Sequence, residues 1–214
     1  MHWILVANGD CECTPDLELL LDAADEVVGV DGGGRHLYRL GRRPTVVVGD
    51  MDSIPPQILE EYRGQGVRLH LHPPRKDETD LELALNLALA NEASQITILA
   101  ATGGRLDHTL ANIFLLTRCL QHDVPATIRD RSQTIRLING MIRIKGCPGD
   151  TLSLLPLTPE VCGVTLAGLE YPLHDDTLLF GSTWGMSNVF ADSAAEIRLS
   201  SGLLLVIHQH QPAS

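Results

Sequence analysis

Short apolar runs, each closed by glycine or aspartate, alternate with helix-like periodicity through the first 120 residues. His2–Ala7 reads as a buried strand broken at Asn8-Gly9-Asp10, and Val27–Val30 as a strand running into Asp31-Gly32-Gly33-Gly34. Val46–Val48 ends in Gly49-Asp50-Met51-Asp52-Ser53, and Val67–Leu71 and Ile96–Ala100 complete a set of five strands. Between them lie helix signals. Thr14-Pro15-Asp16 opens one with a Thr cap and an early Pro, and Leu17, Leu20 and Leu21 share its face. A short helix over 35–40 is expected next, then one opened by Pro55-Pro56-Gln57 with Ile58, Leu59 and Tyr62 facing inward. The clearest helix spans Lys76 to Glu92, with Leu81, Leu85, Ala88 and Leu89 recurring at helical spacing, and another runs from Leu106 to Leu120. Strand followed by helix, repeated, predicts an α/β domain with a mostly parallel sheet covered on both faces. Such sheets bind ligands beyond the carboxyl ends of their strands, where every acidic and glycine-rich break of this chain falls.

The pattern changes near residue 125. Beyond it short strand signals follow one another without an amphipathic helix: Thr127–Arg131, Thr134–Ile138, Met141–Ile144, Thr151–Leu155, Gly163–Leu166, Thr177–Phe180, Ala195–Leu199 and Leu203–His208. Asn139-Gly140 and Ser201-Gly202 read as hairpin turns. The expected organisation is therefore an α/β domain over 1–125 and an antiparallel β-sandwich over 126–214. A sandwich of that size is marginal alone and needs a neighbour to pack on.

The net charge of −11 argues against a general nucleic-acid binder, which needs a basic surface. No apolar run reaches the ~18 residues of a membrane span and no basic, apolar leader opens the chain, so the cytoplasm is the expected location. The five cysteines include Cys11-x-Cys13, which has no matching pair, so reduced and non-catalytic thiols are expected. His70-x-His72 and His208-x-His210 each put two imidazoles on one strand face, with no adjacent Cys or carboxylate set in the sequence to make a zinc site.

Chemistry is concentrated in the breaks. Asp50 and Asp52, one residue apart at a strand end, share a side if extended geometry continues, and carboxylates beside phosphates suit Mg²⁺. In Lys76-Asp77-Glu78-Thr79-Asp80, Asp77 and Asp80 are three apart and share a face at a helix start, where acids also serve as caps. Thr102-Gly103-Gly104-Arg105-Leu106-Asp107-His108 joins a Gly-Gly turn, whose backbone N–H groups suit an anion, to a guanidinium. Asp107 fits a helix cap or a place in the metal cluster. With Asp31, the acids make a cluster that repels itself unless a divalent cation and a polyphosphate join it. No G-x-x-x-x-G-K-[ST] loop is present. The residues alone reach metal-assisted transfer on a phosphorylated substrate, with the acceptor open.

The ordered set Asp31-Gly32-Gly33, Gly49-Asp50-Met51-Asp52-Ser53, Lys76-Asp77-Glu78-Thr79-Asp80-Leu81-Glu82 and Thr102-Gly103-Gly104-Arg105-Leu106-Asp107-His108, with Ser187-Asn188 later, resembles the thiamin pyrophosphokinase family along the whole chain. The resemblance implies transfer of pyrophosphate from ATP to thiamin, giving thiamin diphosphate and AMP, by a homodimer with active sites at the subunit interface. It implies that Asp50, Asp52, Asp77 and Asp80 manage Mg²⁺ and the triphosphate; it leaves open which carboxylate takes the hydroxyl proton, and the Asp77/Asp80 group is the expected one. Asp31, Gly32, Gly33, Thr102, Gly103, Gly104, Arg105 and Asp107 would hold ATP. Ser187 and Asn188 would hold the aminopyrimidine from the partner chain. Trp184 would stack on a cationic ring or fill the dimer interface. Two departures stand out: Gly34-Arg35 where Ala-Asn is more usual, and Gly185 where a serine is common. Two other readings compete. A haloacid-dehalogenase-like phosphatase also starts from a strand ending in D-x-D, although Ser53-Ile54 does not continue its pattern. A nucleotide- or thiamin-binding module without turnover would lack the carboxylates, which here are intact.

Overall fold

The computed structural model describes residues 1–12 and 14–211, so the Cys11-x-Cys13 spacing lies partly outside the described residues. The chain runs β1 (His2–Val6), α1 (Pro15–Asp22), β2 (Glu26–Val30), α2 (Gly33–Arg39), β3 (Val46–Gly49), α3 (Pro56–Gly64) and β4 (Arg68–Leu71). Then come α4 (Asp80–Ala90), β5 (Gln95–Leu99), α5 (Leu106–Phe114), α6 (Leu116–Gln121) and β6 (Ala126–Arg129). The rest is strand: β7 (Gln133–Ile138), β8 (Ile142–Lys145), β9 (Thr151–Pro156), β10 (Glu160–Ala167), β11 (Asp176–Leu179), β12 (Asn188–Val189), β13 (Ala194–Arg198) and β14 (Leu204–Gln209).

Two compact units meet between Arg131 and Ser132. That is six residues later than the sequence suggested, because β6 pairs parallel with β5 and so extends the first sheet. In the first unit the strand order is β6-β5-β1-β2-β3-β4, every pair parallel. The order turns around between β1 and β5, the switch point at which open parallel sheets leave a crevice. Consecutive residues Ile4, Leu5 and Val6 are all essentially inaccessible, and successive side chains point to opposite faces, so both faces of β1 are covered. On one face Ile4 and Val6 pack with Leu21 of α1 and Leu37 of α2. Around β3, Val47, Met51, Ile54, Tyr62 and Val67 form a second cluster, and the Tyr62 hydroxyl donates to the Gly34 carbonyl at 2.7 Å.

Two helices differ from expectation. α4 begins at Asp80 and not at Lys76, because Thr79 is its cap: Thr79 Oγ1 accepts from the Glu82 N–H at 3.2 Å. The long helix expected over 106–120 is divided at Leu115 into α5 and α6.

In the second unit β12, β9, β14 and β7 are antiparallel neighbours in that order, and β11, β10, β13 and β8 form the facing set. Leu152 and Leu154 alternate inward along β9 and meet Val161, Val164, Leu166, Ile197, Leu204 and Val206 in the core. The sandwich is as expected, but the two hairpins are not. β7 pairs with β14 and β8 with β13, so Asn139-Gly140 carries the chain from one layer to the other, as does Ser201-Gly202 between β13 and β14. A two-residue turn reverses the chain without fixing which strand the next one pairs with.

Candidate active site

Strand carboxyl ends in the first unit open on one cavity of about 690 Å³. Asn8, Gly9 and Asp10 after β1, Asp31 after β2, Asp50 after β3, Lys76 to Leu81 around the start of α4, and Ala100 to Arg105 after β5 contribute to its wall, Asp77 excepted. A methyl group on Gly33 would lie 1.7 Å from the Val6 carbonyl oxygen, so no side chain fits where α2 crosses the end of β1.

The acidic cluster is real but differently composed. Carboxylate oxygens of Asp31, Asp50 and Asp52 lie within 4.8 Å of one another. The side-by-side placement of Asp50 and Asp52 does not come from continued strand geometry. β3 ends at Gly49, Met51 turns back at φ 65°, and Asp50 Oδ1 accepts the Asp52 N–H at 3.2 Å. Asp31 is also left-handed, at φ 44°, and its Oδ1 is buried with no hydrogen-bond partner. Non-glycine residues held in this region cost about 1–3 kcal/mol each and gather at sites where geometry is fixed for a purpose. Asp80 joins the same wall: a methyl on Gly49 would stand 3.1 Å from Asp31 Cβ and 3.3 Å from Asp80 Cγ. Lys76, one turn earlier, forms an ion pair with Asp80 Oδ1.

Asp77 is exposed, precedes the cap of α4 and is absent from the cavity wall, which Glu78 lines instead. The face it was expected to share with Asp80 does not exist, because the helix starts only at Asp80. Arg105 and Asp107 are mainly committed to each other: Nε and Nη2 of Arg105 donate to the two oxygens of Asp107 at 3.2 and 2.6 Å. That pairing holds the Asp107 carboxyl down at about 2 and raises the guanidinium. Arg105 still borders the cavity, with a side chain 70% exposed. Thr102 is anchored through Oγ1 to Asp130 at 3.0 Å, and its carbonyl accepts the Asp10 N–H at 3.2 Å.

Several wall residues were given no role from the sequence: Asn8, Asp10, Arg35, His36, Glu78 and His108. Only the strand-end position of Asn8-Gly9-Asp10 could have pointed to that turn. The Arg35 Nε and the His36 Nε2 are buried without partners. Burial, reinforced by the Arg35 charge, lowers the His36 pKa, so its ring is uncharged at neutral pH.

A second set lies in the sandwich unit. Ser187 is exposed at φ 54°, with its N–H donating to Ser153 Oγ at 3.1 Å, and Trp184 is 53% exposed. Asn188 is buried and its amide is used internally, accepting from the Tyr171 N–H at 3.0 Å and donating to the Tyr171 carbonyl at 2.7 Å. Gly185 adopts φ 109° with Leu154 Cβ 3.3 Å from where a methyl would stand, which accounts for glycine at this position. His208 and His210 do have a carboxylate beside them. Asp150 accepts from the His208 ring at 2.8 Å and from the N–H groups of Cys147 and Gln211, each at 2.9 Å. Sequence reading missed it because Asp150 is 58 residues away. Cys119, Cys147 and Cys162 are free thiols.

Two family models cover most of the chain: "Thiamin pyrophosphokinase, catalytic domain" matches residues 17–128, and "Thiamin pyrophosphokinase, vitamin B1 binding domain" matches residues 140–204. Thiamine pyrophosphokinase of Bacillus subtilis is 32% identical over 205 residues, covering 95% of this chain and 96% of that protein. Its crystal structure superposes with a TM-score of 0.90 at 30% identity, covering 99% of this chain and 100% of the other. The crystal structure of thiamin pyrophosphokinase from Geobacillus thermodenitrificans gives 0.85 at 30% identity, over 100% and 99% of the two chains.

Proposed function

Since this chain belongs to the thiamin pyrophosphokinase family, we propose that it transfers the pyrophosphoryl group of ATP to the hydroxyethyl arm of thiamin, releasing AMP. The observation that carries this reading is the convergence of Asp31, Asp50 and Asp52 beside a cavity that also holds Asp80, Lys76 and the Gly103-Gly104 turn. Phosphoryl-type transfer asks of a protein mainly positioning and charge balance, and the cavity is built for both.

The donor set fits Mg²⁺. Carboxylate oxygens are its preferred protein ligands, and the buried Asp31 Oδ1 lacks any other partner. Asp31, Asp50 and Asp52 would hold the ion, which supplies charge neutralisation at the polyphosphate. Lys76 holds Asp80 in place within this acidic surround. Of the Asp77/Asp80 group, Asp80 alone borders the cavity and is the member placed to accept the hydroxyl proton. The N–H groups of Gly103 and Gly104 would serve the phosphate chain, with Arg105 at the border of the same cavity. Asp107 acts through Arg105, by orienting it.

Thiamin is assigned to the exposed surface around Ser187 and Trp184, with Asn188 shaping that surface by pinning Tyr171. A homodimer accompanies this reading. Leu106, Leu110 and Phe114 recur every four residues on α5 and are exposed, and Leu179, Phe180 and Met186 are exposed in the sandwich unit. No described helix is long and apolar enough to cross a membrane, and a cytoplasmic location goes with the use of ATP.

Incubation of the protein with thiamin, ATP and Mg²⁺, with chromatographic separation of products, tests the reaction. Thiamin diphosphate and AMP in equal amounts are expected. ADP, or inorganic phosphate without thiamin diphosphate, would refute pyrophosphoryl transfer.

A further inference from the structure

The cavity is bordered by three side chains with permanent positive charge, and two are already matched. Lys76 is paired with Asp80, and Arg105 spends its Nε–Nη2 edge on Asp107. The third is Arg35, in the first turn of α2. Among the described residues it has no carboxylate partner. Its one side-chain contact is a long one, from Nη2 to Asn8 Oδ1 at 3.5 Å, and its Nε is buried without a partner.

Its location follows from the backbone. The Asn8 side chain lies against the Asp31-Gly32 turn, close enough that a methyl on Gly32 would meet Asn8 Oδ1 at 2.0 Å. The next residue, Gly9, donates its N–H to the Ala100 carbonyl at 2.7 Å, and Asp10 to Thr102 at 3.2 Å. Asn8–Asp10 thus runs from the carboxylate cluster to the Gly103-Gly104 turn, and Arg35 reaches Asn8 beside it. A guanidinium there, left with unused donors, sits between the acids that would hold a cation and the turn that would hold an anion. Its neighbour His36 is uncharged at neutral pH, so Arg35 is the cation of this stretch.

We infer that Arg35 is the guanidinium that binds the polyphosphate of the nucleotide, the part that sequence spacing assigned to Arg105. The inference rests on the reaction proposed above only for the identity of the nucleotide. A fork of N–H donors matches adjacent phosphate oxygens, and an Arg whose donors are unspent loses no ion pair on binding them. Arg105, in contrast, already has one edge of its fork neutralised by Asp107.

The test is calorimetric titration, with Mg²⁺ present, of ATP bearing a methylene bridge between its α and β phosphorus atoms, and of AMP. Arg35→Gln is expected to weaken binding of the ATP analogue at least tenfold and of AMP less than threefold, with Arg35→Lys between wild type and Arg35→Gln. Equal losses for both nucleotides would mark Arg35 as a structural support, and wild-type affinity for the analogue in Arg35→Gln would remove it from the site. Either result overturns the inference. The wild-type product assay separates the two readings. AMP formation with an unaffected Arg35→Gln sinks only this inference. An Arg35-dependent analogue affinity without thiamin diphosphate formation sinks only the reaction.

Discussion

Lys76 and Asp80 are joined across the cap of α4, with Thr79 lying between them and holding the Glu82 N–H. Their side chains are 12% and 25% exposed, so the pair is neither a surface ornament nor fully desolvated. It fixes one carboxylate of the cavity in a position where an acid alone would be repelled by Asp31 and Asp50.

Breaking that pair from the basic side strands the acid. Lys76→Met is expected to lower stability by about 1–2 kcal/mol, between the values of exposed and buried pairs. Lys76→Met/Asp80→Asn recovers part of the loss. Urea denaturation of the four proteins in a double-mutant cycle measures the coupling, and strictly additive losses would contradict it.

Asp50→Asn keeps the shape of the turn, because the amide oxygen can still accept the Asp52 N–H, but removes one charge of three. Turnover is expected to fall on the order of a hundredfold or more. The melting temperature should stay level or rise, since like charges have been thinned out. Initial rates of AMP formation across an Mg²⁺ titration, with a thermal melt alongside, check both halves.

Thr79→Ala removes the side-chain cap of α4 and exposes an unsatisfied N–H at its first turn. The expected cost is about 1 kcal/mol, or about 2–4 °C in melting temperature for a chain of this size. Thr79→Ser should restore most of it. A melt of Thr79→Ala at the wild-type temperature would show that Asp80 and Glu82 suffice to hold the helix start.

Acid should find the sandwich through Asp150. Burial raises its pKa, but the N–H groups of Cys147 and Gln211 and the His208 ring outweigh burial, and the net shift is downward. A carboxyl with a lower pKa when folded contributes its stability above the unfolded value of about 3.9, and that stability is lost as pH falls through the folded value. The stability gap between wild type and Asp150→Asn is therefore expected to be full at pH 6 and to close on the way to pH 2. Denaturation at a series of pH values reads it, and a gap that does not change with pH would contradict the assignment.

What could be read from the sequence was local. The apolar runs and their acidic ends placed five of the six first-unit strands and put Asp31, Asp50 and Asp80 at one rim, because a strand's end is a property of a few adjacent residues. Pairing partners are not. Asn139-Gly140 announces a reversal, yet nothing near it says that β7 will take β14, whose partner positions lie about seventy residues on. The same limit hid Asp150 behind His208. Spacing alone also misjudged the place of Asp77 and left the Arg105–Asp107 pair unseen. Three residues of separation make a shared face only inside a helix, and Thr79 starts the helix too late. Arg105 looked available because its nearest acid, Asp107, was assigned work elsewhere.

From β7 to β10 the sandwich unit changes layer at every strand, and after β11 it does so again through β12, β13 and β14. Neither layer is thus a continuous stretch of chain, and stripping one away means drawing alternate strands out of the other. Such interleaving leaves no natural tear line. Amide protons of β9 and β13 should then exchange together through a single opening, although they belong to opposite layers.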